Sequence, residues 1–289
     1  MILVTGATGT IGTEVVRLLA ERGERVRAMT RKPEGVSLPA EVVRGDFDDR
    51  DSLDDAVDGA DAVFLLDAPG PWIERHDLAM LDAVRSHGVR RVVKLSAIGT
   101  GEDTALSTSA WHLPGERALR AGGTDWTILR PSSFATNTLH WAADIRAGQP
   151  VPNLTGDGTQ GVIDPRDVAE VAVAALTAPG HAGRTYTLTG PELLSAPDQV
   201  EILRQVLGRP IEIVDVPLEA AKEQMIRAGQ DQEFAEGAIR GQRFIAEGGN
   251  ARLTDDVTAV LGRGARTYAT WATDHRTAFD MPVAQGEFG

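Results

Sequence analysis

Three glycines at equal spacing could bind the phosphates of a nucleotide. Gly6, Gly9 and Gly12 follow the apolar segment Ile2–Thr5 and open a helical pattern. In such a strand–turn–helix context the glycines permit a tight turn, close approach to a pyrophosphate and close helix–strand packing, while the helix N-terminus supplies N–H groups and partial positive charge. The G-x-x-G-x-x-G spacing departs by one residue from G-x-G-x-x-G, and the alternative is a simple turn. We predict a dinucleotide site that includes Gly6, Thr8, Gly9, Thr10, Ile11 and Gly12.

The end of the second predicted strand bears on which dinucleotide binds. An enzyme that favours NAD usually has an Asp or Glu there, about 20 residues after the loop, for the ribose 2′-hydroxyl. This sequence has Met29-Thr30-Arg31-Lys32 instead. Two cations suit a 2′-phosphate, and Arg31 can offer bidentate and stacked contact to phosphate and adenine. We therefore predict NADP(H) over NAD(H), with Arg31 and Lys32 in the site; the alternative is that both cations only begin a solvated loop.

Two later turns should complete the cofactor site. Asp46 and Phe47, after the predicted strand Glu41–Arg44, are placed to flank the adenine, whose exocyclic amine could donate to Asp46. They could equally be cap or turn formers. Ala68, in the segment Ala68–Trp72, should pass beside the ribose and the nicotinamide, because ligands of open α/β sheets bind at the carboxyl ends of the strands.

The predicted binding turns must follow the strands of a sheet. Short β-branched runs alternate with helical patterns through the first 130 residues, which is typical of βα units on a parallel sheet. Several runs are almost entirely apolar, as expected for strands covered on both faces. The predicted strands are Ile2–Thr5, Arg25–Thr30, Glu41–Arg44, Ala62–Leu66, Arg91–Leu95 and Trp126–Leu129.

Helices are predicted between the strands from apolar residues at helical spacing. They are Thr13–Arg22, Ser52–Val57, Ile73–His87 and Leu113–Ala121. Ser52 is the expected N-cap of the second helix. Left-handed residues after the four helices are expected at Gly23, Gly59, Gly88 and Gly122.

The pattern loosens after Pro131. We predict a helix Pro165–Leu176 capped by Asp164 with Arg166 pairing locally, Asp167 having a structural role too. Further predicted elements are the strand Thr185–Thr189, the helix Ala196–Leu207, the strand Ile211–Val216 and helices in Leu218–Gly248 and Asp255–Ala269. The expected fold class is α/β: a Rossmann doubly wound parallel sheet over residues 1–150, some later segments returning to it, and a smaller, mostly helical α+β substrate lobe over residues 151–289.

Composition excludes several classes of protein. The 289 residues include no cysteine, so disulfide scaffolds, thiolate metal sites and thiol nucleophiles are ruled out. A net charge of −13 and dispersed cations disfavour nucleic acid as a partner. We expect no metal site, because the six histidines are scattered without an i, i+4 pair. No apolar run approaches membrane-span length and no signal peptide precedes Gly6, so we expect a cytoplasmic protein without membrane association.

Several segments together resemble a known family. They are Met1–Gly12, Gly45–Asp48, Lys94–Ala97, the run from His112 through Glu116 to Arg130-Pro131, Ile163–Val168, Leu207–Pro210 and Leu253–Val257. The chain resembles the NmrA-like branch of the atypical short-chain dehydrogenases/reductases over most of its length. The resemblance implies a Rossmann domain that binds NADP(H) and a small C-terminal lobe that shapes a substrate cleft. Some members reduce quinones, enones, imines or dyes, whereas others bind the dinucleotide without turnover.

The catalytic pair of short-chain dehydrogenases is missing here. These enzymes normally carry Tyr-x-x-x-Lys after the fifth strand to protonate the product alkoxide, and the aligned positions hold Thr108 and His112. His112 could donate a proton, position a ligand or be an ordinary surface histidine. Ser96, at the end of the fifth strand, could bind the acceptor oxygen or cap a loop. We take His112 and Ser96 as the catalytic candidates.

An aromatic wall is the predicted substrate site. Its members follow strands four, five and six, which end at one edge of the sheet: Trp72, Trp111, Phe134, Asn137, His140 and Trp141. Each aromatic side chain could instead be packing core. Without a tyrosine acid, an acceptor whose product anion is delocalised is favoured.

The sequence therefore predicts an NADP(H)-dependent oxidoreductase that transfers hydride to a small, hydrophobic, conjugated carbonyl, quinone or imine. Two alternatives stay open: a redox-sensing regulatory protein that binds NADP(H) without turnover, and a non-redox isomerase or cyclase on the same fold. The oligomeric state is not predicted.

Overall fold

The computed structural model describes residues 1–101 and 111–280. These residues form a seven-stranded sheet and two short two-stranded sheets. The strands are β1 Ile2–Val4, β2 Val26–Thr30, β3 Glu41–Arg44, β4 Ala62–Leu65, β5 Arg91–Leu95, β6 Asp125–Pro131, β7 Val151–Asn153, β8 Gln160–Gly161, β9 Arg184–Leu188, β10 Leu193–Leu194 and β11 Ile213–Asp215.

Helices cover both faces of the large sheet and build the C-terminal part. A 3-10 helix, Ala135–Trp141, follows β6. The α-helices are α1 Thr10–Glu21, α2 Arg50–Val57, α3 Ile73–Ser86, α4 Leu113–Ala121, α5 Ala142–Ala147, α6 Pro165–Thr177, α7 Ala196–Leu207, α8 Leu218–Arg227, α9 Gln232–Ala246, α10 Asp256–Leu261, α11 Tyr268–Asp274 and α12 Arg276–Phe279.

The strand order of the large sheet creates a crevice. The order is β3-β2-β1-β4-β5-β6-β9, and every neighbouring pair is parallel. From β1 the chain runs outward through β2 and β3, then returns to the other side of β1 as β4. At such a switch point the turns diverge at the carboxyl ends of the strands and leave room for a ligand. The predicted Rossmann doubly wound α/β fold is confirmed.

Strand periodicity explains how both faces are filled. Ile2, Val4 and Phe64 pack with α1 and α6 on one face. Leu3 and Val63, the intervening residues, pack with α2 and α3 on the other face, because successive side chains of a strand point to opposite sides. All five residues are buried, which accounts for the nearly unbroken apolar sequence of β1 and β4.

The C-terminal part has its own core. Side chains from the 3-10 helix, α7, α11 and α12 meet around the buried Trp271. Helices α8 and α9 pack on each other as a hairpin, which we call the helical hairpin. The sheet nonetheless continues past residue 150, since β9 pairs with β6 and α6 packs on α1. A division into units at residue 150 stays a prediction.

Several local predictions need correction. The N-cap of α2 is Asp49, whose side chain accepts from the backbone of Ser52. Gly122 has φ −76° and the left-handed residue is Gly123, at +78°. The predicted helical segment Leu218–Gly248 contains two helices. The first ends at Arg227, because Gly229 takes φ +85°, and Asp231 caps the second.

The segment Asp255–Ala269 is also interrupted. Helix α10 ends at Gly262, which is left-handed with φ +68°, and α11 starts after the cap Thr267. Among the described helices, none is long and apolar enough to cross a bilayer.

Candidate functional site

A cleft of about 690 Å³ opens at the carboxyl ends of β1, β2, β3 and β4. Its walls come from the turns that follow these strands, from the first turns of α1 and α3, and from the segment after β6. The lining residues are Gly6, Thr8, Gly9, Thr10, Ile11, Met29, Thr30, Arg31, Gly45, Asp46, Phe47, Asp48, Leu66, Asp67, Ala68, Pro69, Trp72, Arg75, His76, Phe134, Thr136 and Pro165.

The glycine loop forms the floor of this cleft. Gly6 has φ +57°, a left-handed conformation that favours glycine, and a Cβ there would lie 2.9 Å from Cγ of Leu66. A Cβ on Gly12 would overlap the carbonyl oxygen of Gly6, so only glycine lets α1 sit this close to the loop. Gly12 does not line the cleft; it sets the position of residues that do.

The N-terminus of α1 is free to receive an anion. Its N-cap, Gly9, offers no side-chain oxygen, and no acidic residue lies in the first turn. Helix N-termini leave N–H groups without intrahelical partners, and these attract negative charge. The loop and the helix start thus fit the diphosphate of a dinucleotide.

Thr5, which was not among the predicted site residues, holds the glycine loop in place. The Thr5 hydroxyl donates to the carbonyl of Leu66 at 2.7 Å and accepts from the Leu66 N–H at 2.8 Å. These bonds tie the turn after β1 to the turn after β4 across the switch point. A polar residue at the end of an otherwise apolar strand is the signal that could have revealed it.

The two predicted phosphate-binding cations differ in position. Arg31 is exposed and lines the cleft, and within residues 1–101 and 111–280 it has no ion-pair partner. Lys32 is exposed too, but it does not line the cleft. Strand β2 ends without a carboxylate, so nothing at this point repels a 2′-phosphate.

Asp46 and Phe47 both line the cleft, and Asp46 also shapes a turn. Its Oδ1 accepts from the backbone of Asp48 at 3.1 Å, while its own N–H donates to Ser52 Oγ at 2.9 Å. The two interpretations offered for Asp46 are therefore compatible. Phe47 stacks on His76, with ring centroids 5.0 Å apart.

Trp72 connects the cleft with the helical hairpin. Its indole N–H donates to the carbonyl of Ala68 at 3.0 Å, which folds the loop after β4 around the ring. The opposite side of the ring lies parallel to Phe234 of α9, with centroids 6.5 Å apart. Trp111, just before α4, packs against Gly237 of the same helix. Helix α9 therefore covers two of the predicted aromatic residues, but only Trp72 also lines the cleft.

Ser96 lies outside the cleft lining and is engaged within the protein. It is buried, and its hydroxyl donates to Glu116 Oε1 at 2.6 Å. The same carboxylate accepts two hydrogen bonds from Arg130, at 2.9 and 2.6 Å. The hydroxyl hydrogen of Ser96 is thus used in a buried polar network and is not directed at a ligand.

His112 also lies outside the cleft lining. Nδ1 of this half-buried residue is buried and has no hydrogen-bond partner in the described part of the chain. Burial, with a smaller contribution from the positive charge of Lys94, holds the pKa of His112 well below its usual value. The imidazole is consequently neutral at neutral pH, able to donate or accept a hydrogen bond but a poor store for an extra proton.

A buried ion pair lies beneath this histidine. Lys94 Nζ is 2.6 Å from Oδ2 of Asp77, and both side chains are almost fully buried. Burial raises the pKa of Asp77, and the ammonium of Lys94 opposes that rise. Gly115 makes room for the pair, since a Cβ there would overlap the Asp77 carboxylate. Thr108, the other aligned position, lies outside the described residues.

The remaining predicted substrate residues separate into two groups. Phe134 lines the cleft. Asn137 and His140 are exposed on the 3-10 helix, and Trp141 packs against the C-terminal core. That core holds Trp141 in a structural position.

Neither tyrosine of the chain is at the cleft. The buried Tyr268 donates to Thr138 Oγ1 at 3.0 Å, and burial raises the pKa of its phenol. The Tyr186 hydroxyl lies 2.9 Å from Nδ1 of His181. No phenol therefore replaces the missing catalytic tyrosine.

The aspartates around α6 have the structural positions expected of them. Asp164 caps α6 by accepting from the Arg166 N–H at 2.8 Å and also pairs with the Arg166 guanidinium. Asp167 is buried and pairs with Arg263 and Arg266. In residues 1–101 and 111–280, no group of three or more His, Asp or Glu side chains is arranged to hold a metal ion.

Comparison with known proteins gives the family. The chain belongs to the NAD(P)H-binding family, whose sequence profile matches residues 6–179. It is 40% identical over 283 residues to the (4-alkanoyl-5-oxo-2,5-dihydrofuran-3-yl)methyl phosphate reductase of Streptomyces griseus, covering 96% of this chain and 99% of the relative. It is 34% identical to the NAD(P)H azoreductase of Xenophilus azovorans, again over 96% of this chain and 99% of the relative.

A solved structure shares the fold. The NADPH-dependent quinone oxidoreductase of Escherichia coli, complexed with NADPH, superposes with a TM-score of 0.85 at 20% identity and covers 96% of this chain and 100% of its own. The resemblance to NmrA-like atypical short-chain dehydrogenases/reductases is confirmed. The expectation of an NAD(P)H-dependent oxidoreductase is confirmed as well.

Proposed function

We propose that this protein uses NADPH in preference to NADH to reduce a small, flat, conjugated acceptor. The observation that carries the proposal is the cleft, in which a helix start without a side-chain cap and Arg31, an arginine with no ion-pair partner in the described part of the chain, line the same space. These features suit the diphosphate of a nicotinamide dinucleotide and the 2′-phosphate that distinguishes NADPH from NADH.

Different residues bind different parts of the cofactor. The backbone of Gly6, Thr8, Gly9, Thr10 and Ile11 receives the diphosphate, because this loop leads into the start of α1, where the N–H groups of a helix have no intrahelical acceptor. Arg31 receives the 2′-phosphate. Asp46, Phe47 and Ala68 enclose the adenosine. When bound, the nicotinamide supplies hydride to the acceptor.

The candidate acids His112 and Ser96 and the two tyrosines offer little proton donation to the acceptor. His112 is held neutral by burial, Ser96 gives its proton to Glu116, and both tyrosines lie elsewhere. A simple ketone would leave a localised alkoxide that needs a proton donor. A quinone, an enone or an azo compound distributes the charge of its product, so it needs less help. Two relatives are named for substrates that are conjugated in this way, an alkanoyl-oxo-dihydrofuran phosphate and azo compounds.

Aromatic residues on the cleft wall suit such an acceptor. Phe134 and Trp72 line the cleft, and Phe234 lies parallel to Trp72 from the helical hairpin. Planar apolar walls exclude water and orient a flat molecule, which is most of what hydride transfer requires.

The test is NADPH oxidation followed at the nicotinamide absorbance with a panel of quinones, enones, azo dyes and unconjugated ketones. We expect turnover with the conjugated compounds and at least about tenfold lower kcat/KM with the ketones. Trp72→Ala should raise KM for the acceptor, with Trp141→Ala as a control that changes an aromatic residue outside the cleft. Tight NADPH binding without turnover on any acceptor would support a sensor instead.

A further inference from the structure

We propose that helix α3 completes the adenosine end of the cleft: Phe47, held flat against His76, is the platform for the adenine, and Asp67 positions His76. This inference rests on the proposed function, since it requires a bound dinucleotide. Neither His76 nor Asp67 was a candidate from the sequence.

The platform is built from two rings in the same cleft. Phe47 follows β3 and His76 lies in the first turns of α3, so the two rings come from separate βα units. Their planes differ by 11° and their centroids are 5.0 Å apart. Both residues line the cleft, next to Arg31 and the glycine loop. A purine presents a flat π-face, and stacking on an aromatic ring is the usual way that proteins bind it.

The histidine is held through one of its ring nitrogens. Its Nδ1 is 2.6 Å from Oδ2 of Asp67, whereas its Nε2 lies 3.4 Å from Oδ1 of Asp48 and has no hydrogen-bond partner among the described residues. Arg75 pairs with the same Asp48 carboxylate. These contacts leave the ring little freedom to rotate, so the Phe47 ring stacked on it is held in one plane before any ligand arrives. Preorganisation of this kind reduces the entropy lost on binding.

Asp67 is a positioning residue. Its Oδ1 accepts from the backbone of Ala68 at 2.7 Å, and its Oδ2 is taken by His76. With both oxygens engaged in the protein, Asp67 acts through the histidine. Asp46, whose carboxylate lies on the same wall, is the acceptor available for the exocyclic amine of adenine.

The experiment separates the adenosine part of the cofactor from its nicotinamide. Dissociation constants are measured for NADPH and, by competition, for adenosine 2′,5′-bisphosphate, and kcat is measured at saturating NADPH. In His76→Ala we expect both dissociation constants to rise roughly tenfold, the effect of losing one stacked contact. We expect kcat to stay within about twofold, because the acceptor site is untouched.

Matched variants test the assignment. His76→Phe keeps an aromatic ring under Phe47 and should restore binding to within about threefold of wild type, whereas Phe47→Leu should behave like His76→Ala. His87→Ala removes a histidine from the end of the same helix, where its Nδ1 faces the Ala83 carbonyl outside the cleft. It should leave both constants unchanged.

Each outcome has one meaning. If wild-type protein does not bind NADPH, the proposed function fails first. If wild type binds NADPH but His76→Ala or Phe47→Leu binds adenosine 2′,5′-bisphosphate as tightly as wild type, the platform is refuted. An equal fall of kcat and affinity in His76→Ala, or wild-type protein that binds NADPH but not the bisphosphate, also contradicts it.

Discussion

The two ends of the cleft are organised differently. At the proposed nucleotide end, Gly6, Gly9 and Arg31 line one space beside a helix start that has no side-chain cap. At the acceptor end, Ser96 and His112 lie outside that space, one engaged by Glu116 and the other held neutral. The proposed phosphate site consists of backbone groups next to one strand, whereas the proposed acceptor site depends on side chains brought together from distant segments.

The two ends of the cleft also differ in their electrostatics. A helix start without a side-chain cap makes the nucleotide end attractive to anions, as does the Arg31 guanidinium, which has no ion-pair partner among the described residues. The polar groups near the acceptor end bind one another. Ser96 and Arg130 donate hydrogen bonds to Glu116, and Lys94 forms an ion pair with Asp77. We therefore expect substitutions at the nucleotide end to change cofactor affinity and substitutions at the acceptor end to change mainly stability.

The largest effect is expected from Gly12→Ala. The added Cβ overlaps the carbonyl oxygen of Gly6, so the loop must move away from the position that receives the diphosphate. We expect the NADPH dissociation constant to rise about 100-fold or more, measured by nucleotide fluorescence, because several backbone hydrogen bonds depend on that position.

A matched glycine provides the control. Gly264 has open space around its Cβ position and no positive φ. Gly264→Ala should bind NADPH like wild type, and circular dichroism should show that both variants fold. NADPH binding by Gly12→Ala within about twofold of wild type would show that the loop does not carry the diphosphate.

Arg31→Ala tests the cofactor preference. Loss of a charge-assisted contact to the 2′-phosphate should raise the KM for NADPH roughly 10- to 100-fold and leave the KM for NADH within about twofold. Lys32→Ala, which removes a cation outside the cleft lining, should have a smaller effect. Equal losses for both nucleotides in Arg31→Ala would refute the assignment.

His112→Gln tests the neutral imidazole through stability. Because the pKa of His112 is lowered in the folded protein, the unfolded chain takes up a proton first as the pH falls. The stability tied to neutral His112 is therefore complete above about pH 6.5 and is lost as the pH falls toward the folded pKa. Urea unfolding should show a wild-type decline steeper than that of the variant, by at most about 1.4 kcal/mol per pH unit.

Other groups affect both proteins alike. Asp77, whose pKa is raised by burial, contributes a slope of its own that cancels in the difference between wild type and variant. Parallel stability curves between about pH 5 and about pH 7 would mean that His112 titrates normally.

The smallest effect is expected from Ser96→Ala. Removal of the hydroxyl takes one donor from the buried Glu116, which Arg130 still binds twice. The free energy of unfolding should fall by about 1 kcal/mol with kcat nearly unchanged. A tenfold loss of kcat at unchanged stability would instead place Ser96 against the acceptor and reduce the contrast between the two ends.

Local patterns predicted much of the fold. Strand β3, Glu41–Arg44, and helices Leu113–Ala121 and Ala196–Leu207 have the predicted bounds, because apolar periodicity reports which face of an element is buried. The predictions for Ser52 and Gly122 were wrong because a nearby residue has the expected role. Asp49 caps α2, and Gly123 is the left-handed residue after α4. Caps and turns tolerate such shifts by a few residues.

The candidate site was predicted unevenly. The predicted glycine-loop residues Gly6 to Ile11 and Arg31 line the cleft, because their position depends on turns next to single strands. His76 and Asp67 were missed, since nine residues separate them and their role arises only when α3 packs beside the turn after β3. The surroundings of Ser96 were hidden for the same reason, because Glu116 and Arg130 come from other elements.

By itself, the sequence determined the sheet, the glycine turn after β1 and the absence of a catalytic phenol at its usual position. Tertiary structure alone decided which polar side chains line the cleft and which bind one another outside its lining. The physical reason is that a backbone turn depends on the conformational freedom of a few adjacent residues, whereas the burial, charge state and partners of a side chain depend on every element packed around it.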